Sequence, residues 1–258
     1  MPTSLTLRLD DYELDEFVSL ASNYGDTRFD YVVTPNVDHI IRYYDDAQFR
    51  ELYAHAAWVL LDSRLMARIL NVTRALRPRV CPGSDLTARL FSLMAPRDRI
   101  VLIGSGAEQA QRLAQRYGLQ DLRHFSPPMG FIRDPAAIEQ TLHFIETHAP
   151  FRFCFLAVGS PQQEILARRL QQRGTAHGLA LCIGASVNFL TGVELRAPRW
   201  MQLLNLEWLY RLLQDPRRLA RRYLVRGPRI FVLLPRLRFE LRRSTAASGK
   251  TASQARSE

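Results

Sequence analysis

The chain has 258 residues, of which 47% are hydrophobic, enough for a real core in one large domain plus an appendage. No stretch reaches the ~18–20 apolar residues that span a bilayer, so any membrane contact is expected to be peripheral. The net charge of +10 sits in one place: the segment 196–243 carries 13 arginines against Glu207, Asp215 and Glu240, and the rest of the chain balances to zero.

In chain order, an acidic lead-in gives way to β-like runs alternating with helical ones. Phe29–Val33 is predicted as a strand entering a turn at Thr34-Pro35-Asn36, followed by a helix from about Asp38, whose carboxylate can cap it. Trp58–Leu61 is a short buried strand ending at Asp62. Ser84 or Asp85 starts a helix through Met94. Ile100–Ile103 is a strand running into Gly104-Ser105-Gly106. Asp134-Pro135 provides a cap and a first-turn proline for a helix through His148, and Ser160-Pro161 repeats that start after the strand Phe151–Val158. Leu179–Ile183 is the last strand, closed by Gly184. Repeated βα units with continuous apolar strands predict a parallel sheet covered by helices on both faces. Ligands bind such sheets beyond the carboxyl ends of the strands. Six polar loops fall there: Thr34/Asn36, Asp62, Gly104–Gly106, Ser126–Gly130, Gly159–Glu164 and Gly184–Asn188.

The composition changes near residue 196. Asp215-Pro216 restarts a helix, Gly227-Pro228 breaks it, and Pro235 interrupts a third stretch. We divide the chain into a Rossmann-like core over 1–195, an arginine-rich amphipathic appendage over 196–243, and a polar tail over 244–258 expected to be disordered. In the appendage Leu203, Leu206, Leu209 or Tyr210, and Leu213 form an apolar stripe at helical spacing. Arg218, Arg221 and Arg222 lie within about one turn of each other. Ile230–Leu234 with its flanking arginines suits shallow insertion at an anionic surface. Arginine dominates, Lys250 being the only lysine; that favours planar phosphate contacts, although base composition of the genome produces the same bias.

Cys81, Cys154 and Cys182 are odd in number, widely spaced and set in apolar runs, so they read as reduced core residues. The six histidines show no ligand spacing and no D-x-D occurs, so no metal site is expected. The start M-P-T-S-L-T-L-R-L-D-D has neither a basic nor an apolar region of an export leader.

The rim motifs each have two readings. Gly104-Ser105-Gly106 is half a dinucleotide fingerprint, with Gln109 where the third glycine belongs; it is a plain tight turn or a source of N–H groups for a nucleotide. Gly159-Ser160-Pro161-Gln162-Gln163-Glu164 is a helix start, or an anion and hydroxyl site presenting two glutamines. Asp62 is a general base or the cap of the helix that follows it; Asp85 reads as a cap.

Taken in order, several stretches resemble the WecG/TagA/CpsF family of glycosyltransferases (glycosyltransferase family 26). They are T-P-N-V-D-H-I (34–40), Asp62, R-V-C-P-G-S-D-L (79–86), L-I-G-S (102–105), F-S-P-P-M-G-F (125–131), G-S-P-Q-Q-E (159–164), G-A-S-V-N-F-L-T-G (184–192) and the run 196–219. The resemblance spans roughly residues 29–224. It implies a metal-independent, cofactor-free core of the type called GT-E, and inverting transfer from a UDP-sugar to a polyprenyl-diphosphate-linked glycan at the cytoplasmic membrane face. Carried over by motif, Asp62 would be the general base and Thr34 its neighbour in catalysis. Asn36 and Gln163 would contact substrate, and Arg211, Arg218 and Arg221 would hold the diphosphate. Arg79, Gly104, Ser105, Glu164 and Asn188, in the same blocks, complete the expected binding set. Two departures stand out. The family often reads A-D-G where this chain has Leu61-Asp62-Ser63-Arg64, and F-D-F where it has Val187-Asn188-Phe189. The expected partners are donor, acceptor and an anionic membrane surface, without nucleic acid; homo-oligomer formation stays open. The rival readings are an NAD-dependent oxidoreductase built on the Gly104 loop and a basic nucleic-acid-binding protein.

Overall fold

The structure, a computed structural model, describes residues 5–26, 28–194, 197–198, 201 and 206–242, without the side chain of Arg218. The polar tail, Leu203, Arg196 and Arg199 lie outside the described residues.

The main sheet has six parallel strands in the order β3-β2-β7-β6-β4-β5. They are β2 (Phe29–Val33), β3 (Trp58–Val59), β4 (Ile100–Gly104), β5 (Leu122–Phe125), β6 (Phe153–Ala157) and β7 (Gly178–Cys182). Each strand alternates between two faces, and each face has its own core. Tyr31, Val33, Val101, Ile103, Cys154, Leu156, Ala180 and Cys182 enter one cluster. Val32, Ile100, Leu102, Phe153, Phe155, Leu179 and Leu181 enter the other. A side-chain period of two within uninterrupted apolar runs is what a sheet buried on both faces demands. The first face is covered by α2 (Val37–Asp45), α3 (Ala47–Ala54), α4 (Arg64–Arg74), α7 (Pro135–Thr147) and α8 (Gln162–Arg173). The second is covered by α1 (Leu14–Ser22), α5 (Gly83–Ser92), α6 (Ala107–Tyr117) and α9 (Ser186–Leu190). The predicted α/β parallel sheet flanked by helices is thus the fold. The three cysteines are free and buried.

The helix starts correct several local expectations. Asn36, not Asp38, caps α2, its Oδ1 accepting from the N–H groups of Asp38 (3.1 Å) and His39 (3.3 Å). An amide two residues upstream reaches these donors, whereas Asp38 is already helical. Ser63 caps α4, accepting from Met66 N–H at 3.1 Å, which leaves Asp62 out of that task. Helix α5 begins at Gly83 with no side-chain cap, so Asp85 lies in its first turn and pairs with Arg64 at 3.4 Å. Ser160 is not the cap of α8; its hydroxyl accepts from Arg42 at 3.4 Å. Asp134 with Pro135 does cap α7, as predicted.

Beyond the sheet, α10 (Glu207–Gln214) and α11 (Pro216–Ala220) lead into a π-helical segment, Arg221–Arg226, then α12 (Arg229–Leu233) and β8 (Leu237–Arg242). The last strand pairs in parallel with β1 (Leu5–Asp10), from the other end of the chain. Asp10, its side chain fully buried, accepts from Val59 N–H on the sheet edge (2.7 Å) and pairs with Arg242 (2.7 Å). Arg229 holds Asp45 through two bonds of 2.9 and 3.0 Å. Ile230, Leu233, Leu234 and Leu237 are buried in the first core. The segment read as a surface-inserting stretch is therefore half committed to the fold: only Phe231 and Val232 of it face outward. Of the expected apolar stripe, Leu206, Leu209 and Tyr210 are half-buried, but Leu213 is exposed and its neighbour Leu212 is buried instead.

Candidate active site

The loops after β2, β3, β4, β6 and β7 meet on one rim. The connection leaving β4 runs outward to β5, while that leaving β6 runs inward to β7. A crevice between strands whose connections diverge is where ligands enter such sheets. Close approach there is built in: a Cβ on Gly104, whose φ is +90°, would stand 2.7 Å from the Ala157 carbonyl oxygen. Ser105, also left-handed at φ 64°, continues the turn. The His124 ring lies 3.1 Å from the Gly104 carbonyl.

Asp62, Thr34 and Gly83 form the other end of the rim. Asp62 N–H donates to the Pro35 carbonyl at 3.0 Å, tying the β3 loop to the β2 loop. Its Oδ1 accepts from Gly83 N–H at 2.7 Å. A Cβ on Gly83 would meet Thr34 Oγ1 at 3.0 Å and Asp62 Oδ1 at 3.7 Å, so the glycine lets the three backbones converge. Asp62 keeps some solvent contact, but protein atoms crowd the carboxylate. This desolvation pushes its pKa up to about 6. The Gly83 N–H and the Arg211 guanidinium pull it down, and Glu207 and Asp85 push it further up. A carboxylate poised near neutrality is suited to take a proton in the transition state.

The remaining residues divide by what they touch. Gln163 is buried with each end of its amide bonded within the protein: Oε1 accepts from Gly184 N–H (2.9 Å) and Nε2 donates to Glu164 (3.0 Å). Glu164 is 1% exposed, its Oε2 has no partner among the described residues, and burial pushes its pKa up to about 7. Asn188 likewise spends both ends of its amide internally, on Gln109 (3.0 Å) and Glu194 (3.1 Å). Gln109 also accepts from Gly106 N–H, which removes one donor that a nucleotide would need from that loop. Arg79 is engaged by α1, pairing with Glu16 at 2.9 Å and Glu13 at 3.6 Å, rather than with the rim.

Of the appendage arginines, Arg211 pairs with Glu194 at 3.6 Å and lies over the Phe189 ring at 4.9 Å. Arg221 is exposed on the π-helical segment, and the Arg218 side chain is outside the described residues. The arginine that reaches the rim from this segment is Arg222: it donates to Asn36 Oδ1 at 3.3 Å and stands 3.7 Å from Asp38. Spacing groups Arg222 with Arg218 and Arg221 but does not tell which of them meets α2. Trp208 packs its ring on Tyr223 at 6.1 Å, which ties α10 to the same segment. Between the α9 region and the appendage lies a cleft of about 470 Å³, lined among others by Ala185, Glu194, Arg211, Gln214, Asp215 and Arg222. A second depression of about 440 Å³, between α3 and α8, includes none of the rim residues. Among the described residues no group of three His, Cys, Asp or Glu side chains is placed to hold a metal ion.

A doubly covered parallel sheet, with a desolvated carboxylate at its carboxyl rim and Arg211 and Arg222 of the C-terminal segment beside a cleft, defines a Rossmann-like core. The particular kind comes from its relatives in sequence: the chain belongs to the glycosyl transferase WecG/TagA/CpsF family, whose sequence model matches residues 3–244. It is therefore a glycosyltransferase, of a family that serves surface-polysaccharide synthesis. The match extends past the motif blocks at both ends and takes in β1 and β8. Family membership puts the chain among glycosyltransferases rather than oxidoreductases.

Proposed function

We propose that the enzyme moves a sugar from a UDP-sugar to a polyprenyl-diphosphate-linked saccharide, inverting the anomeric centre. The observation that carries this reading is Asp62. It ends the β3 loop, has its backbone anchored to the Pro35 carbonyl, has one carboxylate oxygen on Gly83 N–H, and stays near neutrality with Thr34 beside it. In the reaction, Asp62 takes the proton of the acceptor hydroxyl as that oxygen attacks the anomeric carbon. The glycosidic bond to UDP breaks on the opposite face, and the departing diphosphate carries the displaced electron pair. Preformed positive charge at that position lowers the barrier without reorganisation. Arg211 and Arg222, which line the cleft, are the described arginines best disposed to supply it, with Arg218 and Arg221 as the family's motif suggests. Thr34 and Asn36 orient the reactants, and Gly104 and Ser105 approach the donor through backbone. Gln163, Glu164 and Asn188 shape the rim from beneath, and Arg79 braces the loop before Gly83.

We place the acceptor's lipid at the cytoplasmic membrane face, with the protein attached peripherally. Supporting this, Leu224, Val225, Phe231 and Val232 are exposed among the exposed arginines Arg221, Arg226, Arg236 and Arg238. A surface both apolar and cationic matches an anionic bilayer. The test is a panel of UDP-sugars and polyprenyl-diphosphate-linked acceptors, with products identified by mass. We expect one sugar added per acceptor, undiminished in EDTA and abolished in Asp62→Asn. Loss of activity in EDTA that returns with Mn²⁺ or Mg²⁺ would overturn the metal-independent mechanism. Near wild-type turnover by Asp62→Asn would remove Asp62 as the base.

A further inference from the structure

The side chains of Gln109, Asn188, Glu194 and Arg211 form an unbroken polar path, in which Gln109 and Glu194 have no part in the chemistry above. It starts at the β4 loop, where Gln109 Oε1 accepts from Gly106 N–H. Gln109 Nε2 donates to Asn188 Oδ1 at 3.0 Å, and Asn188 Nδ2 donates to Glu194 Oε1 at 3.1 Å. Glu194 donates its own N–H back to the Asn188 carbonyl at 3.1 Å, which fixes the turn between them. Its second carboxylate oxygen faces Arg211 Nη2 at 3.6 Å. Arg211 in turn covers Phe189, the residue next to Asn188.

The path has only one polarity. Gly106 N–H can only donate, so Gln109 must point its oxygen at Gly106 and its NH2 group at position 188. Position 188 must then accept on one side. On the other side stands a carboxylate, which only accepts, so position 188 must donate there. A side-chain amide does both. A carboxylate at 188 would face Glu194 at contact distance, and two adjacent carboxylates resist joint ionisation. The amide and Glu194 therefore belong together, and the negative charge sits on the residue that reaches the appendage.

We propose that Asn188 and Glu194 are positioning residues of the transfer reaction: the Asn188 amide orients Glu194, and Glu194 holds Arg211 of the appendage above Phe189, within electrostatic reach of Asp62. The inference rests on the reading of Asp62 as the base. The groups acting on Asp62 are the Gly83 N–H, Arg211, Glu207 and Asp85, the last shared with Arg64; Cys81 is the buried neutral neighbour. Releasing Arg211 withdraws one of the two influences that favour the carboxylate form. The acidic limb of the pH–rate profile then moves to higher pH.

The experiment compares N188D, E194Q and the double variant N188D/E194Q in the full chain. It measures transfer to the lipid-linked acceptor across pH, with thermal unfolding of each protein. We expect N188D to lower kcat by about ten- to a hundredfold, the usual scale for a misplaced catalytic environment, and to shift the acidic limb upward. The double variant restores the single negative charge and the donor–acceptor order, with roles exchanged, so it should recover several-fold over N188D. Wild-type kcat and profile in N188D, or a double variant no better than N188D, overturn the proposal. If N188D does not fold, E194Q decides: a several-fold loss with an upward acidic limb supports the proposal, and an unmoved kcat and limb refute it. Asp62→Asn, assayed alongside, tests the base separately. Should it keep turnover, the base reading falls, and the coupling of Asn188 with Glu194 is judged on the rescue in the double variant.

Discussion

At the scale of single residues, the site holds two carboxyl groups that folding makes less acidic. Desolvation lifts Asp62 from 3.8 to about 6 and Glu164 from 4.5 to about 7. Both bind protons more tightly folded than unfolded, so each withdraws stability as pH rises from its unfolded value through its folded one, a window of roughly 4 to 7. For Asp62 the cost at neutral pH is up to about 3 kcal/mol, and less in proportion to its solvent contact. His39 works the other way: burial and the nearby Arg222 lower it to about 4, so its contribution is lost as pH falls from 6.5 toward 4. The two carboxyl effects are therefore read as differences between variants and wild type. Asp62→Asn and Glu164→Gln should each raise the Tm at pH 8 more than at pH 5, while only Asp62→Asn need abolish chemistry. A Tm difference independent of pH in both variants would show that neither carboxyl carries the shift. On the proposed mechanism the desolvated acid at position 62 serves proton transfer, and stability at neutral pH is lower for it.

At the scale of elements, the C-terminal strand is the part whose role differs most from expectation. Read as sequence, everything beyond residue 196 looks like one appendage. In the structure α12 and β8 close the first core, and β8 supplies the partner of Asp10. Removing Arg242 leaves a fully buried carboxylate with the Val59 N–H as its stronger remaining contact. We expect Arg242→Ala to cost on the order of 2 kcal/mol. That is below the range for breaking a wholly buried pair, because the arginine itself is 42% exposed. Truncation after Arg226 should therefore unfold the protein at markedly lower denaturant, by exposing the surfaces around Ile230, Leu233, Leu234 and Leu237 as well as unpairing β1. An unchanged denaturation midpoint would mean that α12 and β8 act only in membrane attachment. Truncation after residue 195 carries the same cost, so its loss of activity could not be assigned to Arg211, Arg218 and Arg221. Point substitutions in that set are the informative ones.

At the scale of the molecule, no helix among the described residues is long and apolar enough to cross a membrane. The exposed apolar side chains beyond residue 212 lie in the segment 196–243 that carries the net positive charge, while the rest of the chain is charge-balanced. If this face docks on lipid, binding to vesicles containing phosphatidylserine should exceed binding to neutral vesicles and fall steeply with salt, each basic residue near the surface contributing about 1 kcal/mol. Replacing Phe231 and Val232 by serine should weaken binding about tenfold or more, judged by the transfer energy of buried apolar groups, without lowering the Tm, since both are exposed. Sedimentation with vesicles measures this directly. Equal partition to neutral and anionic vesicles would dismiss the electrostatic part of the reading.

What the sequence by itself determined is what local chemistry writes in short range. Apolar runs of four to eight residues bounded by Gly, Pro and Asx residues marked most of the parallel strands, and polar loops after them marked the rim. The charge count located the basic segment, and the order of short motifs indicated the family. Tertiary structure decided everything that depends on partners far apart in the chain. The strands β1 and β5 escaped notice because their sequences, L-T-L-R-L-D and L-R-H-F, are partly polar and become strands only by pairing with β8 and β4. The cap of α2 moved to Asn36 because a side chain bonds the donors it can reach, not those nearest in sequence. Arg222 rather than its neighbour faces Asn36 because the fold brings that face of the segment against α2. The path from Gln109 through Asn188 and Glu194 to Arg211 joins three stretches of chain, and its polarity is set by the Gly106 N–H, which no spacing rule connects to Asn188. Burial, the cause of the shifts at Asp62 and Glu164, is a property of packed atoms and enters only when the chain has folded.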